Sequence, residues 1–165
     1  MRRVSAVLAL LASLILASVA SVQAAGPDHS KLEAFSVDFA AGQSCAFATR
    51  WDFPAGGNEL TFPVRENGDQ LVRQISSAPL TVTNLESGES ITLRGGGRID
   101  QLFHADGSLD LFARGTLYIA LFPEDEGGPG MYQYRGHYEV DIAADFTFTN
   151  VRFKGHVTDI CAALT

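Results

Sequence analysis

The chain is poor in the residues that most site chemistry requires. It has 2 cysteines, 1 tryptophan and 4 histidines in 165 residues. With both cysteines bonded to each other, no thiolate nucleophile would remain. Positive charge is also scarce, with 12 lysines and arginines against 19 aspartates and glutamates and a formal net charge of −7. An acidic surface repels phosphate backbones and anionic lipids, and no basic run overrides it, so no nucleic-acid partner is expected. Several signatures are missing. The triplet Gly95-Gly96-Gly97 does not extend to G-x-G-x-x-G and no helical pattern follows it. There is no G-x-S-x-G elbow. Neither Glu124-Asp125-Glu126 nor Asp106 to Asp110 follows the ordered calcium-loop pattern. No metal or cofactor is expected. Helical periodicity is absent beyond residue 25, apart from a short turn over Ile160 to Leu164. No internal repeat suggests a propeller or solenoid.

What is present begins with a leader. Arg2-Arg3 is followed by an uncharged run from Val4 to Ala25 rich in Leu, Ala and Val. Val22-Gln23-Ala24 offers small residues at the positions a signal peptidase reads. Residues 1–24 are therefore expected to be a signal peptide, cleaved after Ala24 or, as a second choice, after Ala20. The run is nearly long enough to span a bilayer, but its Ala and Ser content and its cleavage site favour removal. Residues 25–165 are expected to form a single secreted all-β domain, with no membrane contact after cleavage. That part carries 10 basic and 19 acidic residues, for a net charge of about −9.

The stretch Ser44 to Phe53 organises the reading. Cys45, Phe47, Thr49, Trp51 and Phe53 fall at every second position, which gathers apolar side chains on one face of a strand. Only one pairing of Cys45 and Cys161 exists, and export permits it. Two separate buried thiols are the alternative. A disulfide would tie the end of the domain to its beginning, favouring a closed antiparallel β-barrel, with a β-sandwich as the alternative.

The remaining chain reads as strands joined by turns. Gly26 to Lys31 reads as a solvated lead-in and Phe35 to Phe39 as a half-buried strand. Asn67-Gly68 and Asp106-Gly107 mark hairpins, because these residues tolerate positive φ. Leu80 to Leu85 and Ser90 to Arg94 flank a further turn, and Gly95 to Gly97 suggests a bulge or sharp bend. Ser108 to Ala113 and Leu117 to Phe122 read as two strands. The second is nearly all apolar, so it should be buried on both faces or lie at the centre of a sheet. Pro123 to Gly130 reads as a flexible acidic loop, and Met131 to Ile142, Phe146 to Phe153 and Gly155 to Ile160 as further strands. About nine strands in all are expected.

The Cys45-Ala46-Phe47 spacing, the run LTVTNLESGESITL from Leu80, the turn at Asp106-Gly107 and the ending TDICAAL from Thr158 resemble small secreted actinobacterial β-proteins with one N-to-C-terminal disulfide. The resemblance covers most of residues 25–165. It implies export and fold, and it supplies no catalytic residue, because that family carries no established activity.

Candidate chemistry is sparse. Tyr132, Tyr134, Tyr138, Val140 and Ile142 share one strand face with Gly136 in the row; His137, Glu139 and Asp141 share the other. The tyrosines could wall a ligand cavity or pack a core. The leading expectation is a non-catalytic binding module for a small apolar ligand or a cell-surface partner. Its pocket would draw on Trp51, Phe62, Tyr118, Tyr132, Tyr134 and Tyr138. A barrel-pocket enzyme, hydrolase or cyclase/isomerase-like, would instead need His137 and Glu139 pointing inward and converging with Arg98 or Arg114. A structural cell-surface interaction protein would show a filled core and an exposed apolar patch. His104 with Asp106 and His156 with Asp159 read as surface hairpin residues.

Overall fold

The structure, a computed structural model, describes residues 26–165; the expected signal peptide lies outside the described residues. The described chain is all-β apart from one 3₁₀ turn. Eleven strands form: β1 (Asp28–Lys31), β2 (Phe35–Phe39), β3 (Thr49–Phe53), β4 (Asn58–Thr61), β5 (Gln70–Ser76), β6 (Leu80–Asn84), β7 (Ser90–Leu93), β8 (Gly97–Phe103), β9 (Leu109–Leu121), β10 (Gly130–Ile142) and β11 (Phe148–Asp159). The 3₁₀ turn covers Ala162–Leu164.

Every pairing is antiparallel. One sheet has seven strands in the order β1-β4-β5-β8-β9-β10-β11, and the other has four in the order β2-β3-β6-β7. The hairpins announced by Asn-Gly and Asp-Gly are β4–β5 and β8–β9. Gly68 and Gly107 both have φ of +88°, which glycine adopts without steric cost. The closed barrel does not form among the described residues: β1 and β11 are the two ends of the larger sheet, and no ladder joins them. The Cys45–Cys161 disulfide is present, with Cα atoms 5.5 Å apart. It links the turn before β3 to the turn after β11, so it ties one sheet to the other and does not close either sheet.

Other expectations shift locally. Asp28–Lys31 pairs with β4 and is no mere lead-in. The Ser44–Phe53 strand is regular only from Thr49, although Cys45, Phe47, Thr49 and Trp51 keep their alternating burial through the preceding turn. The two strands expected over 108–122 are one long strand, and so are those over 146–160.

A line of glycines explains the long strands. Gly97 pairs with Gly115, Gly115 with Gly136, and Gly136 with Gly155, so four adjacent strands carry glycine at the same level. Tyr134 and Tyr138 flank this line in β10. Their ring centroids are 4.7 Å apart, so the two rings meet across the side-chain gap that Gly136 leaves between them. Residues on both sides of the glycine line are buried in one cluster to which the smaller sheet contributes nothing, so the larger sheet folds along that line and its concave face closes on itself. Leu111, Ala113, Leu117, Ile119, Leu121, Tyr134, Tyr138, Val140 and Ile142 form the core inside this fold. A Cβ on Gly136 would strike the Lys154 carbonyl oxygen and one on Gly155 the Arg135 carbonyl oxygen, which is why only glycine fits.

A second core lies between the two sheets. Trp51, Leu80 and Val82 of the smaller sheet meet Met131 and Ile160, joined by Cys45, Phe47 and Leu164. The Trp51 indole N–H donates to the Met131 sulfur at 3.1 Å. The run Leu117 to Leu121 is covered on both faces, fully on one and partly on the other: Leu117, Ile119 and Leu121 enter the folded core, while the half-buried Tyr118 and Ala120 pack against the inter-sheet core.

The acidic loop is better ordered than its composition suggests. Asp125 is 7% exposed. Its carboxylate accepts the backbone N–H of Phe122 at 2.6 Å and of Phe148 at 2.9 Å. It thereby caps the chain between β9 and β10 and fixes the start of β11, a use of a carboxylate that stabilises otherwise orphaned donors.

Candidate functional site

Where the two sheets splay apart, a cleft of about 490 Å³ opens. Five segments supply most of its lining. The β1–β2 connection supplies Leu32, Ala34 and Phe35, and the end of β3 supplies Phe53 and Pro54. From the larger sheet come Gln74 and Ser76 of β5, Gly97 and Ile99 of β8, and Thr116, Leu117 and Tyr118 of β9. The lining is mainly apolar, and Glu33 is its single carboxylate. Phe35 stacks on Phe53 with centroids 4.6 Å apart, and Phe53 meets Tyr118 edge-on at 6.3 Å. Phe35 is nonetheless 57% exposed, so one ring of this aromatic stair faces the opening.

Tyr118 lines the cleft, and its hydroxyl is tied to groups that lie outside the lining. Its hydroxyl donates to the Leu93 carbonyl at 3.1 Å and accepts from the Gln133 side-chain amide at 3.5 Å. Gln133 is 2% exposed and also donates to the Arg94 carbonyl at 3.3 Å. Burial pushes the Tyr118 hydroxyl up from its ordinary value, and the Gln133 hydrogen bond only partly opposes this. The phenol therefore stays neutral near pH 7 and serves as a hydrogen-bonding group, not as a base.

Of the six aromatic residues singled out from the sequence, Tyr118 alone lines this cleft. Trp51 is buried between the sheets, and Tyr134 and Tyr138 are buried inside the glycine fold with Tyr132 packed against them. Burial raises the Tyr138 hydroxyl strongly, and that hydroxyl has no hydrogen-bond partner in the structure. Phe62 lies beneath the Arg73 guanidinium, 5.7 Å from its ring centre. The residues that sequence reasoning missed, Phe35, Phe53 and Ile99, carry no signal beyond ordinary strand alternation. Their shared cleft exists only once two sheets are placed together.

His137 and Glu139 point away from both cores. With Arg98, Asp100, Phe112 and Arg114 they line a separate recess of about 170 Å³ on the outer face of the larger sheet. His137 is exposed, and Glu139 accepts from Arg152 at 3.3 Å. No group of three or more His, Cys, Asp or Glu able to hold a metal ion occurs among the described residues.

His104 finds partners other than Asp106. Its Nδ1 lies 3.2 Å from Asp69 and its Nε2 3.0 Å from Asp110, while Asp106 instead accepts from the Ser108 backbone and hydroxyl. The hydrogen bonds to Asp110 and then Asp69 raise the His104 pKa above its ordinary 6.5. A raised folded pKa stabilises fully below the unfolded value, and that contribution is lost as pH rises through the folded one. Stability of the wild type relative to His104→Ala should therefore shrink as pH rises above about 6.5. Urea midpoints of both proteins between pH 5 and pH 9 check this, and parallel curves would exclude the bridging role.

No protein-family model, curated protein or solved structure matches the chain, so the cleft and the recess must be read from their own chemistry.

Proposed function

We propose that the protein is an exported, non-catalytic binding module that takes a small apolar ligand into the cleft beside Tyr118. The observation that carries this reading is the cleft itself. Its volume lies within the range of small-molecule sites, and its wall is mainly aromatic and aliphatic with a few polar side chains, Gln74, Ser76 and Thr116 among them. A ligand body would pack against Phe35, Phe53 and Ile99, and a single polar atom could reach Gln74, Ser76 or Thr116. The disulfide and the leader-like N-terminus support export. No helix among the described residues is long and apolar enough to cross a membrane. The shared core between the sheets supports a sandwich-like arrangement in which the larger sheet is additionally folded on itself.

Titration with the neutral, solvent-sensitive dye Nile red tests the reading. Saturable binding with enhanced emission is expected. Ala34 is exposed at the cleft mouth, so Ala34→Trp should leave the fold intact and weaken dye binding by about 10-fold or more through steric filling. An unsaturable signal, or equal affinity in the variant, would remove the support for a ligand site. Intact mass of the exported protein should begin at Ala25 and be two hydrogens lighter than the sequence; a mass retaining residues 1–24 would refute cleavage.

A further inference from the structure

The strand register gathers positive charge on the outer face of an otherwise acidic molecule. Arg98 pairs with Arg114, Arg114 with His137, and His137 with Lys154. Cross-strand partners share a face, so these four side chains form a row with steps of about 4.8 Å. The row follows the glycine line one residue further along each hairpin. Arg114, His137 and Lys154 are exposed.

Like charges placed directly opposite on neighbouring strands destabilise a sheet. This row interposes no carboxylate, although acidic residues outnumber basic ones 19 to 12 in the chain. The carboxylates on the adjoining level are already engaged. Asp100 accepts from Arg73 at 2.6 Å and from Arg98 at 2.8 Å, and Glu139 accepts from Arg152. Among the described residues Arg114 and Lys154 form no ion pair. Counting Arg73, Arg98, Arg114, Arg152 and Lys154 against Asp100 and Glu139, the patch carries excess positive charge before His137 is considered. The recess of about 170 Å³ opens among these groups, with the partly exposed Phe112 ring on one side.

We propose that this row is an oxyanion site that takes a phosphate group. A phosphate in the recess would receive N–H donors from Arg114 and Arg98, with the His137 imidazole and the Lys154 ammonium completing a shallow cradle. The guanidinium fork suits two phosphate oxygens at once. The size of the recess and the acidic remainder of the surface favour a compact group over a long polyanion. Charges more than about 8 Å away are screened at physiological ionic strength, so the local patch and not the net charge governs a small anion.

The test is an amide NMR titration of the disulfide-bonded protein with inorganic phosphate, with chloride adjusted to hold ionic strength constant. A parallel arm sediments the protein with vesicles of phosphatidylglycerol in phosphatidylcholine. The expected result is saturable shifts confined to the strands around Arg98, Arg114, His137 and Lys154. Arg114→Gln should weaken binding by about 10-fold or more, the loss of a hydrogen-bonded charge. Lys154→Gln should weaken it in the same direction, and Arg50→Gln, on the smaller sheet, should leave it unchanged. Vesicle binding that Arg114→Gln abolishes, without binding of free phosphate, would support the site with a lipid headgroup as the source. Absence of both, or binding that survives Arg114→Gln in a protein of unchanged melting temperature, would overturn the proposal.

Discussion

Serine at both Cys45 and Cys161 is expected to lower unfolding free energy by about 4–5 kcal/mol. The bond spans 116 positions, so its removal restores a very large conformational freedom to the unfolded chain. The native side should contribute too, because Cys45 is buried in the core between the sheets and the hydroxyl that replaces its sulfur has a desolvation cost. A domain of this size loses several degrees of melting temperature per kcal/mol, so a fall of roughly 15 °C should be seen. Urea unfolding of Cys45→Ser/Cys161→Ser, compared with wild type reduced by dithiothreitol, measures the effect. The two should agree within about 1 kcal/mol. A loss below about 1 kcal/mol in both would mean that the bond neither restrains the unfolded chain nor supports the inter-sheet core.

Gly136→Ala carries the second large effect. Gly136 has φ of +147°, a region that L side chains rarely adopt. The added carbon would also collide with the Lys154 carbonyl oxygen and lie 3.0 Å from the Gly155 Cα. Both neighbours are backbone, so relief requires β10 and β11 to separate at the point where the sheet folds. Conformational strain of this kind costs about 1–3 kcal/mol, and the backbone collision should bring the total to about 3 kcal/mol or more. Gly88→Ala supplies the comparison. Gly88 also has positive φ, at +79°, but nothing lies within 4 Å of a Cβ built there. It should therefore show the conformational part alone, about 1–2 kcal/mol. Thermal and urea unfolding followed by circular dichroism rank the two variants. Equal losses would show that the glycine line is not a crowded fold line.

Much of the architecture is legible from local rules. Asn67-Gly68 and Asp106-Gly107 place two hairpins because turn geometry is encoded in adjacent residues. The uninterrupted apolar run at Leu117 implies two covered faces for the same reason that alternation implies one. What escapes is anything that depends on register between distant strands. Gly97, Gly115, Gly136 and Gly155 look like four unrelated breakers until pairing aligns them. Gly115 in particular reads as a gap between two strands, whereas it is the point at which one strand bends. The cationic row depends on the same alignment, since a one-residue slip would scatter it over both faces. The aromatic residues mislead for a different reason. Trp51, Tyr134 and Tyr138 have the size and amphipathic character of cavity walls, but large rings also fill cores well, and composition does not separate the two uses. Tyr118 falls in the cleft because its strand runs from the folded core to the margin between the sheets. Closure is the remaining case. A disulfide between early and late residues constrains distance alone, and two separate sheets satisfy that constraint as well as a barrel does.

The position of the disulfide also decides how the molecule bears load. Tension applied at Gly26 and Thr165 would pass from Cys45 to Cys161 through the covalent bond, bypassing the strands between them. Under oxidising conditions only residues 26–44 and 162–165 can pay out, which strips β1 and β2 from their partners and leaves the rest unstretched. Once the bond is reduced, about 390 Å of further contour becomes available at roughly 3.4 Å per residue. Redox state would thus change the extensibility of the chain between two anchor points several-fold, with no change in which residues are paired at rest.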